Sequence, residues 1–373
     1  MPKTLLDIYT GIKRPRHKRF SLLAKEASLN LGMNYLCEKP TMIGRLGTKI
    51  KTQISGYRYY SKKIDPSYLA LVHHAIPNRA SNFLLEIDLP MGLSNYRVRN
   101  HRKSWQIIKS KLEATECKGI LVFSEWAKRN FILHFGPMVG QKTFVLYPTS
   151  YTGLSDVKFS QKKLDFVFIS TQFLMKGGYQ VIEAFKNLQI SGYNDARLLV
   201  VTNLNEVKDI VDKNKTNNNI KWLDANLSEQ QISNLLKDSK CLIHPSLSDS
   251  FGVVVLEAMS HGCAVISTNM ASFPELVSNE NGFLITPPIS TTTFNAYITE
   301  YGDANYYNDY LRTLNLEEFS EKIFQFMKLF LSNEKEAFSL MHGSIKKFDK
   351  SFSRNIWIEN FQKIIAGTEF GNF

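Results

Sequence analysis

The chain has 373 residues, of which 43% are hydrophobic and 21% charged, a globular composition at a length that suits two domains. No run of about 18 apolar residues occurs, so no transmembrane helix is predicted, and the N-terminal sequence lacks the pattern of a signal peptide. Four cysteines without metal-binding or paired spacing predict reduced, mostly buried thiols in a cytoplasmic protein.

The net charge of +12 is concentrated near the beginning of the chain. Residues 1–63 hold 14 Lys and Arg against 3 acids, which gives +11 and leaves about +1 for the rest. A second basic stretch, "RVRNHRKSWQIIKSK" (97–111), contains no acid. A basic face attracts phosphate-rich lipid head groups, acidic glycans or nucleic acid, although it can also serve solubility alone.

The first half of the chain alternates short apolar segments with helical patterns. Strands are predicted at 4–9, 68–75, 82–89, 118–124 and 144–148. A helix is predicted over 21–32, and Ser124 is placed to cap a second helix that begins after it. The polar run 149–156 is the predicted linker between two domains.

The second half repeats this alternation more clearly. Strands are predicted at 164–170, 197–202, 241–245 and 264–268, and helices at 177–188, 227–240 and in the tail 316–366. Ser228 and Gln231 have the spacing of a capping box. Alternation with short loops predicts an α/β protein with two parallel sheets, each flanked by helices.

The stretch "HPSLSDSFGVVVLEAMSHG" (244–262) joins a predicted strand to a predicted helix. Ligands of parallel sheets bind beyond the carboxyl ends of the strands, where Asp249 lies. With a helix starting near Ser250, Phe251 and Gly252 would present backbone N–H groups that suit a diphosphate. Glu257, about two turns further on, could accept hydrogen bonds from ribose hydroxyls. The ordinary alternative makes Asp249 a helix N-cap and Glu257 a solvated residue.

The same segment of sequence resembles the donor-binding core of the retaining GT-B glycosyltransferases of the glycogen synthase-like, family 4 (group 1) type. That family has Pro-Ser, Glu-Gly-Phe-Gly, Glu-Ala-Met-Ala, Gly, Pro-Val-Ile, Pro-Glu and Gly-Phe-Leu in order. The matching residues here are Pro245-Ser246, Phe251-Gly252, Glu257-Ala258-Met259, Gly262, Val265-Ile266, Pro274-Glu275 and Asn281-Gly282-Phe283-Leu284. At the level of fold the resemblance covers most of 118–366.

The resemblance implies roles for this segment. The two acids of the family have seven residues between them, and Asp249 and Glu257 keep that spacing with Asp in place of the first Glu. Asp249 would contact the donor sugar and Glu257 the ribose. Ser250, in place of the usual Gly, would line the donor site together with three neighbours: Phe251, Gly252 and Val253.

A second donor-binding segment follows the first strand of the second domain. Lys176-Gly177 matches the Lys-Gly of the family, so Lys176 is expected to bind the diphosphate. The family has an Arg five residues earlier, where this chain has Thr171. In the first domain, Gly11 resembles the glycine of the loop that approaches the donor phosphate.

The family usually places a His from the acceptor domain beside the sugar. Two segments compete for that place here. "LALVHHAIPN" offers His73 and His74, and "NFLLEIDLPMG" offers Glu86 and Asp88, acids that need a partner or a role in a buried setting. The four are therefore candidate catalytic residues.

The resemblance implies a GT-B fold of two Rossmann-like domains that face each other across a cleft. The expected boundaries are 1–150 for the acceptor domain, 151–351 for the nucleotide-sugar domain and 352–373 for a C-terminal helix that crosses back onto the first domain. The implied reaction is metal-independent transfer of a hexose, with retention, from a UDP- or GDP-sugar co-substrate.

The expected acceptor is a glycan or lipid-linked glycan, in the synthesis of cell-surface polysaccharide or glycoconjugate. The basic first domain suggests a cytoplasmic protein at the inner face of an anionic membrane. A non-catalytic nucleotide-sugar-binding subunit is the main alternative, because Asp249, Ser250 and Thr171 all depart from the family pattern. Nucleic acid is not an expected partner, since no nucleic-acid-binding motif is present.

Overall fold

The computed structural model describes residues 4–9, 15–38, 54–65, 67–79, 81–94, 96–150, 157–289 and 304–368. They form two compact units. The first unit takes its described residues from Met1–Pro148 and Arg354–Phe373, and the second from Thr149–Phe294 and Ala304–Ser353.

Short strands and helices alternate along both units. The strands are β1 Thr4–Tyr9, β2 Asn34–Glu38, β3 Tyr59–Tyr60, β4 Tyr68–His73, β5 Ile76–Pro77, β6 Phe83–Glu86, β7 Cys117–Val122, β8 Thr143–Val145, β9 Leu164–Ile169, β10 Leu198–Thr202, β11 Ile220–Asp224, β12 Ser239–His244, β13 Ala264–Thr268 and β14 Gly282–Ile285. The α-helices are α1 Pro15–Asn30, α2 Val98–Glu113, α3 Glu125–Phe135, α4 Pro137–Gln141, α5 Gly178–Ile190, α6 Lys208–Asn214, α7 Glu229–Asp238, α8 Val253–Ser260, α9 Phe273–Leu276, α10 Ala304–Thr313, α11 Glu317–Ser332, α12 Glu334–Ser351 and α13 Arg354–Ala366. The 3-10 turns are Pro90–Ser94, Phe159–Gln161 and Leu204–Glu206.

The first unit is built on a parallel sheet with the order β2-β1-β4-β6-β7-β8. Its inner strands are apolar runs because helices cover both faces of such sheets. The register places Tyr9, His73 and Glu86 side by side at the carboxyl ends of β1, β4 and β6. Helix α13 packs on α1, where the Trp357 ring meets the Phe20 ring edge-on at 4.9 Å between centroids.

The second unit contains a parallel sheet with the order β11-β10-β9-β12-β13-β14. This is the strand order of a Rossmann fold, in which the winding reverses between the first and fourth strands. Here the reversal lies between β9 and β12. Sheets of this kind bind ligands beyond the carboxyl ends of the strands, at the point of reversal.

The structure confirms the predicted α/β class, with parallel sheets in two Rossmann-like halves. Ser124 caps α3 by accepting from the Ala127 amide at 3.0 Å, and the capping box of Ser228 and Gln231 is present. Of the four cysteines, all among the described residues, only Cys37 is exposed, and none of them forms a disulfide bond. Residues 151–156 of the predicted linker lie outside the described residues. No helix within the described ranges is long and apolar enough to span a bilayer.

Candidate functional site

Asp249 lies in the loop between β12 and α8, beyond the carboxyl end of β12. Its Oδ1 accepts hydrogen bonds from the backbone N–H groups of Phe251 at 3.1 Å and Gly252 at 3.0 Å. Its Oδ2 lies 2.8 Å from the Lys176 ammonium and 3.3 Å from Nε2 of His244. Burial alone would raise the pKa of the Asp249 carboxyl, but Lys176 and His244 outweigh it and hold that pKa well below its usual value. Asp249 is therefore an ionised acid with donors on both oxygens.

Lys176 reaches Asp249 from the turn that follows β9, the strand next to β12. Its ammonium also donates to the Ser248 carbonyl, and the residue is buried. Gly177 comes next with φ 73°, and a Cβ there would lie 2.5 Å from the Pro245 carbonyl oxygen. Only glycine lets the two loops approach so closely, which explains the Lys-Gly pair in physical terms.

His244 is the last residue of β12 and is buried beneath the loop. Its Nδ1 has no hydrogen-bond partner among the described residues. Burial lowers its pKa, so the ring is neutral at pH 7 and can donate its Nε2 proton to Asp249. The sequence reasoning did not assign a role to His244, although a polar residue at the buried end of a strand was a signal for one.

Hydroxyl groups from neighbouring elements fix the loop 245–252. Thr268 Oγ1 donates to the Ser246 carbonyl at 2.9 Å, Ser272 Oγ to the Phe251 carbonyl at 2.6 Å, and Tyr307 OH to the Leu247 carbonyl at 2.5 Å. A loop whose carbonyls are bound in this way presents its remaining groups in fixed directions.

Helix α8 begins at Val253, with Gly252 at its N-cap position and φ 88°. The predicted start of the helix near Ser250 is wrong. The Asp249 carboxylate holds the amides of Phe251 and Gly252 in a turn, and Gly252 adopts the left-handed conformation, so the helix begins only after them. Glu257 therefore lies about one turn into the helix rather than two, with its side chain half-buried.

In the first unit, His73 connects two carboxylates within the sheet. Its Nε2 lies 2.7 Å from Asp7 on β1 and its Nδ1 lies 2.9 Å from Glu86 on β6. Burial alone would lower the pKa of His73, but the two acids outweigh it and raise that pKa to about 9. Asp7 also accepts from Ser21 Oγ and Tyr35 OH, each at 2.5 Å. The group is a buried imidazolium between carboxylates.

His74 follows β4 with φ 52°, an uncommon conformation for a residue other than glycine. Its Nδ1 lies 3.7 Å from Oδ1 of Asp88, which also accepts from Tyr96 OH at 2.5 Å. Gly92 leaves room for the imidazole, since a Cβ there would lie 2.9 Å from its Nδ1. Backbone strain of this kind concentrates at functional sites.

The structure thus gathers the predicted residues into two groups. His73, His74, Glu86 and Asp88 lie at the carboxyl edge of the first sheet, and Lys176, Gly177, Asp249, Phe251, Gly252, Val253 and Glu257 near that of the second. Thr171 is exposed on the turn after β9, and Ser250 is half-buried. Gly11 lies outside the described residues. Asp7, missed by the sequence reasoning, could have been found as the single acid within an apolar strand.

The described residues contain no group of three or more His, Cys, Asp or Glu side chains placed to hold a metal ion. Cations and backbone amides are the positive groups available near the carboxyl end of the second sheet. Such groups bind phosphate in many proteins.

Known sequences match part of this chain. Residues 155–311 match the family "Glycosyl transferases group 1". The mouse (Mus musculus) protein "Alpha-1,3/1,6-mannosyltransferase ALG2" is 27% identical over 194 residues, which are 45% of this chain and 46% of that protein. The chain thus aligns with less than half the length of this relative.

Solved structures share the fold of both units. HepE from Anabaena, in complex with UDP-glucose, matches 98% of this chain and 99% of its own with a TM-score of 0.63 and 14% identity. WaaG, a glycosyltransferase involved in lipopolysaccharide biosynthesis, matches 98% of this chain and 100% of its own with a TM-score of 0.64 and 13% identity. Residues 155–311 are thus similar to the group 1 glycosyltransferases, and the chain as a whole shares the two-Rossmann fold of HepE and WaaG.

Proposed function

We propose that this protein transfers a hexose from a UDP- or GDP-sugar to a glycan or lipid-linked glycan, with retention of configuration. The observation that carries the proposal is the meeting of Lys176, Asp249 and the start of α8 at the winding reversal of a Rossmann sheet, inside the group 1 domain. The names of HepE and ALG2, a UDP-glucose complex and a mannosyltransferase, fit this reading.

The second unit would hold the donor. Lys176 and the first amides of α8 would bind the diphosphate, since both present positive charge to it. Glu257 would accept hydrogen bonds from the ribose hydroxyls, and Asp249 would accept one from the sugar. Gly177 and Gly252 would let the backbone approach the donor, with Ser250, Phe251 and Val253 beside it. Thr171 would leave the diphosphate with one protein cation fewer than in the family pattern.

Catalysis would rest on stabilising the leaving diphosphate. Lys176 and the amides of α8 would neutralise the charge that develops on it, which is the largest contribution in many transferases. Positioning of the acceptor hydroxyl would supply much of the rest. We propose that no metal is needed, so that transfer should continue undiminished in EDTA.

The first unit would bind the acceptor. His73 has both ring nitrogens bonded to acids inside the sheet, which suits a role in holding β1, β4 and β6 together. His74 lies one residue beyond His73, on backbone with φ 52°, and Asp88 lies two residues beyond Glu86. We therefore assign the contact with the reacting sugar to His74, with Asp88 orienting its ring and Glu86 supporting His73.

A thermal-shift screen against UDP-, GDP-, ADP- and CMP-sugars tests the donor assignment. A ligand at about 100 times its Kd stabilises a protein by about 2.7 kcal/mol, so one nucleotide sugar should raise the melting temperature of the wild type. Glu257→Gln should abolish that shift. Glu183→Gln is a matched control, because Glu183 also lies about one turn into a helix that follows a positive-φ glycine. No shift with any sugar, or equal shifts in Glu257→Gln, would contradict the assignment.

A non-catalytic nucleotide-sugar-binding subunit is a second candidate. The observation in its favour is that the Asp249 carboxylate already has protein donors on both oxygens. Incubating the protein with its donor and candidate acceptors separates the two readings. NMR follows the reaction. Transfer of the sugar with the anomeric configuration that it has in the donor supports the proposed enzyme, whereas donor binding with neither transfer nor hydrolysis supports the non-catalytic subunit.

We further propose that the protein works in the cytoplasm at the inner face of a membrane, since residues 1–63 carry +11 and α2 presents exposed Arg102 and Lys103. Anionic lipid attracts such charge by about 1 kcal/mol per residue near the surface. Vesicle flotation should recover the protein with phosphatidylglycerol vesicles in low salt and leave it behind with phosphatidylcholine. Equal recovery with both lipids would remove the membrane part of the proposal.

A further inference from the structure

Asp249 already binds the groups that were expected to bind the donor. The family resemblance assigns Lys176 to the diphosphate, and the physics of a helix start assigns to it the amides of Phe251 and Gly252, just before α8. In the structure the Lys176 ammonium lies 2.8 Å from Oδ2 of Asp249, and the amides of Phe251 and Gly252 donate to its Oδ1. A carboxylate of this protein thus stands where a phosphate oxygen would find its donors.

We propose that Asp249 is an internal competitor of the donor diphosphate, which must displace its carboxylate from Lys176 before the donor can bind fully. This inference rests on the proposed function and adds an exchange step to it. Once Lys176 turns to the diphosphate, Oδ2 of Asp249 becomes available to a sugar hydroxyl. His244 stays within 3.3 Å of that oxygen as a second donor, so the carboxylate does not lose all its partners.

Side-chain length explains why an Asp can do this. The Asp249 carboxylate lies one carbon closer to its own backbone than that of the family's Glu, a difference of about 1.5 Å. Asp readily accepts from the amides two and three residues further on, in a tight turn, and here it does so. The longer Glu would project its carboxylate out of that turn.

The charges make the competition strong. Thr171 stands where the family has a second cation, so the diphosphate relies on Lys176. Lys176 is buried, and its ammonium donates to Asp249 and to the Ser248 carbonyl. A phosphate oxygen must replace this charge-assisted hydrogen bond before it gains any binding energy from Lys176.

The test measures the affinity of the full chain for UDP and GDP by titration calorimetry. Asp249→Asn keeps an acceptor for the two amides but removes the charge that holds Lys176. We expect it to bind the nucleoside diphosphate at least about tenfold more tightly than the wild type. Asp165→Asn is the matched control: its carboxylate also pairs with a lysine, Lys240 at 2.9 Å, and accepts from an amide, that of Arg197, near the opposite end of β9.

A gain in Asp249→Asn with no gain in Asp165→Asn supports the inference, because both variants remove one negative charge from the same unit. Equal or weaker binding by Asp249→Asn, with the wild type binding normally, would overturn it and leave the proposed function intact. Failure of every form to bind either nucleotide would count against the proposed function itself. Should Asp249→Asn not fold, Asp249→Ser, which also retains an acceptor for helix-start amides, takes its place with the same expected gain.

Discussion

The buried imidazole of His73 lies 2.7 Å from the carboxylate of Asp7 on the neighbouring strand. The contact joins the carboxyl ends of β1 and β4, the two strands between which the order of the first sheet reverses. A charged pair without solvent is stable only when further hydrogen bonds satisfy it. Ser21, Tyr35 and Glu86 supply them here.

The first prediction concerns alkaline stability. The pKa of His73 is about 9 in the folded protein and about 6.5 when unfolded. A raised pKa means that the contribution is fully present below pH 6.5 and is lost as the pH rises through about 9. At about 1.4 kcal/mol per pH unit, the loss of unfolding free energy is on the order of 3 kcal/mol. Urea unfolding at a series of pH values from 6 to 10 measures it.

Asp7→Asn tests the same pair directly. Removing one partner of a buried pair costs about 3–5 kcal/mol, and because Glu86 still faces His73 we expect a loss of about 3 kcal/mol in the free energy of unfolding. The alkaline loss should also shrink, because one of the two acids that raise the pKa of His73 is gone. Asp65→Asn is the control in the same unit, because the Asp65 side chain is exposed and accepts hydrogen bonds from the amide and hydroxyl of nearby Ser67. An Asp7→Asn protein as stable as Asp65→Asn would show that the pair contributes little.

A second prediction concerns acid stability, which changes with pH in the opposite direction. Burial lowers the pKa of His101 to about 4, with a smaller contribution from the adjacent His134 ring. Its neutral form therefore stabilises the fold above pH 6.5, and that contribution is lost as the pH falls toward 4. His101→Phe keeps a flat ring against His134 and Phe135 and removes the titrating group, so the acid loss should be smaller by up to about 3 kcal/mol. Should Phe be too large for the site, His101→Gln makes the same comparison. A loss of stability between pH 6.5 and 4 that is as large in both variants as in the wild type would contradict the prediction.

The central strands could be predicted from sequence because their apolar runs are local signals. Within the two six-stranded sheets, the strands that were not predicted, β2, β11 and β14, are all at sheet edges. The two-residue strands β3 and β5, which pair with each other, were not predicted either. The residues of the three edge strands are largely half-buried or exposed, as in Ile220–Asp224, where only Ile220 is buried. Without burial on both faces, the apolar run that identifies an inner strand is absent.

The donor loop was predicted in position but not in geometry. The sequence alone indicated two of its features: the spacing of Asp249 and Glu257, and the Lys176-Gly177 pair. Whether the Asp249 carboxylate turns outward or onto its own amides depends on Lys176, which is 73 residues away in the chain. The hydrogen-bond partners of Asp249 therefore depend on a residue that is distant in the chain, and no local sequence pattern indicates them. For this reason the predicted start of α8 was wrong.

A third prediction concerns the glycine before α8. Gly252 has φ 88°, and a Cβ there would clash with the Phe273 ring. Gly252→Ala should therefore lower the free energy of unfolding by about 2 kcal/mol or more and weaken nucleotide binding, since the loop must shift. Gly192→Ala is the control: it has φ 104° with nothing within 4 Å of a Cβ, so it bears the backbone cost alone. Equal losses of stability in the two variants would show that Phe273 can give way.

The last prediction concerns Lys162, a buried cation in the second unit. Its ammonium donates to the carbonyls of Leu236 at 3.2 Å and Ser239 at 2.6 Å, at the end of α7, and to that of His261 at 2.9 Å, at the end of α8. The last carbonyls of a helix lack partners inside it and carry partial negative charge. A single ammonium thus satisfies the ends of two helices, which offsets the cost of its burial.

Lys162→Met keeps the length of the side chain and removes those hydrogen bonds, so buried carbonyls lose their donor at about 1–3 kcal/mol each. We expect the free energy of unfolding to fall by about 3 kcal/mol, measured by urea denaturation. Lys240→Met is the comparison, because its ion pair with Asp165 is partly exposed and pairs of that kind contribute at most about 1 kcal/mol. Since α8 carries Glu257 and begins at the loop that holds Asp249, the Lys162 variant should also loosen nucleotide binding. A variant as stable as Lys240→Met would show that water replaces the ammonium at both helix ends.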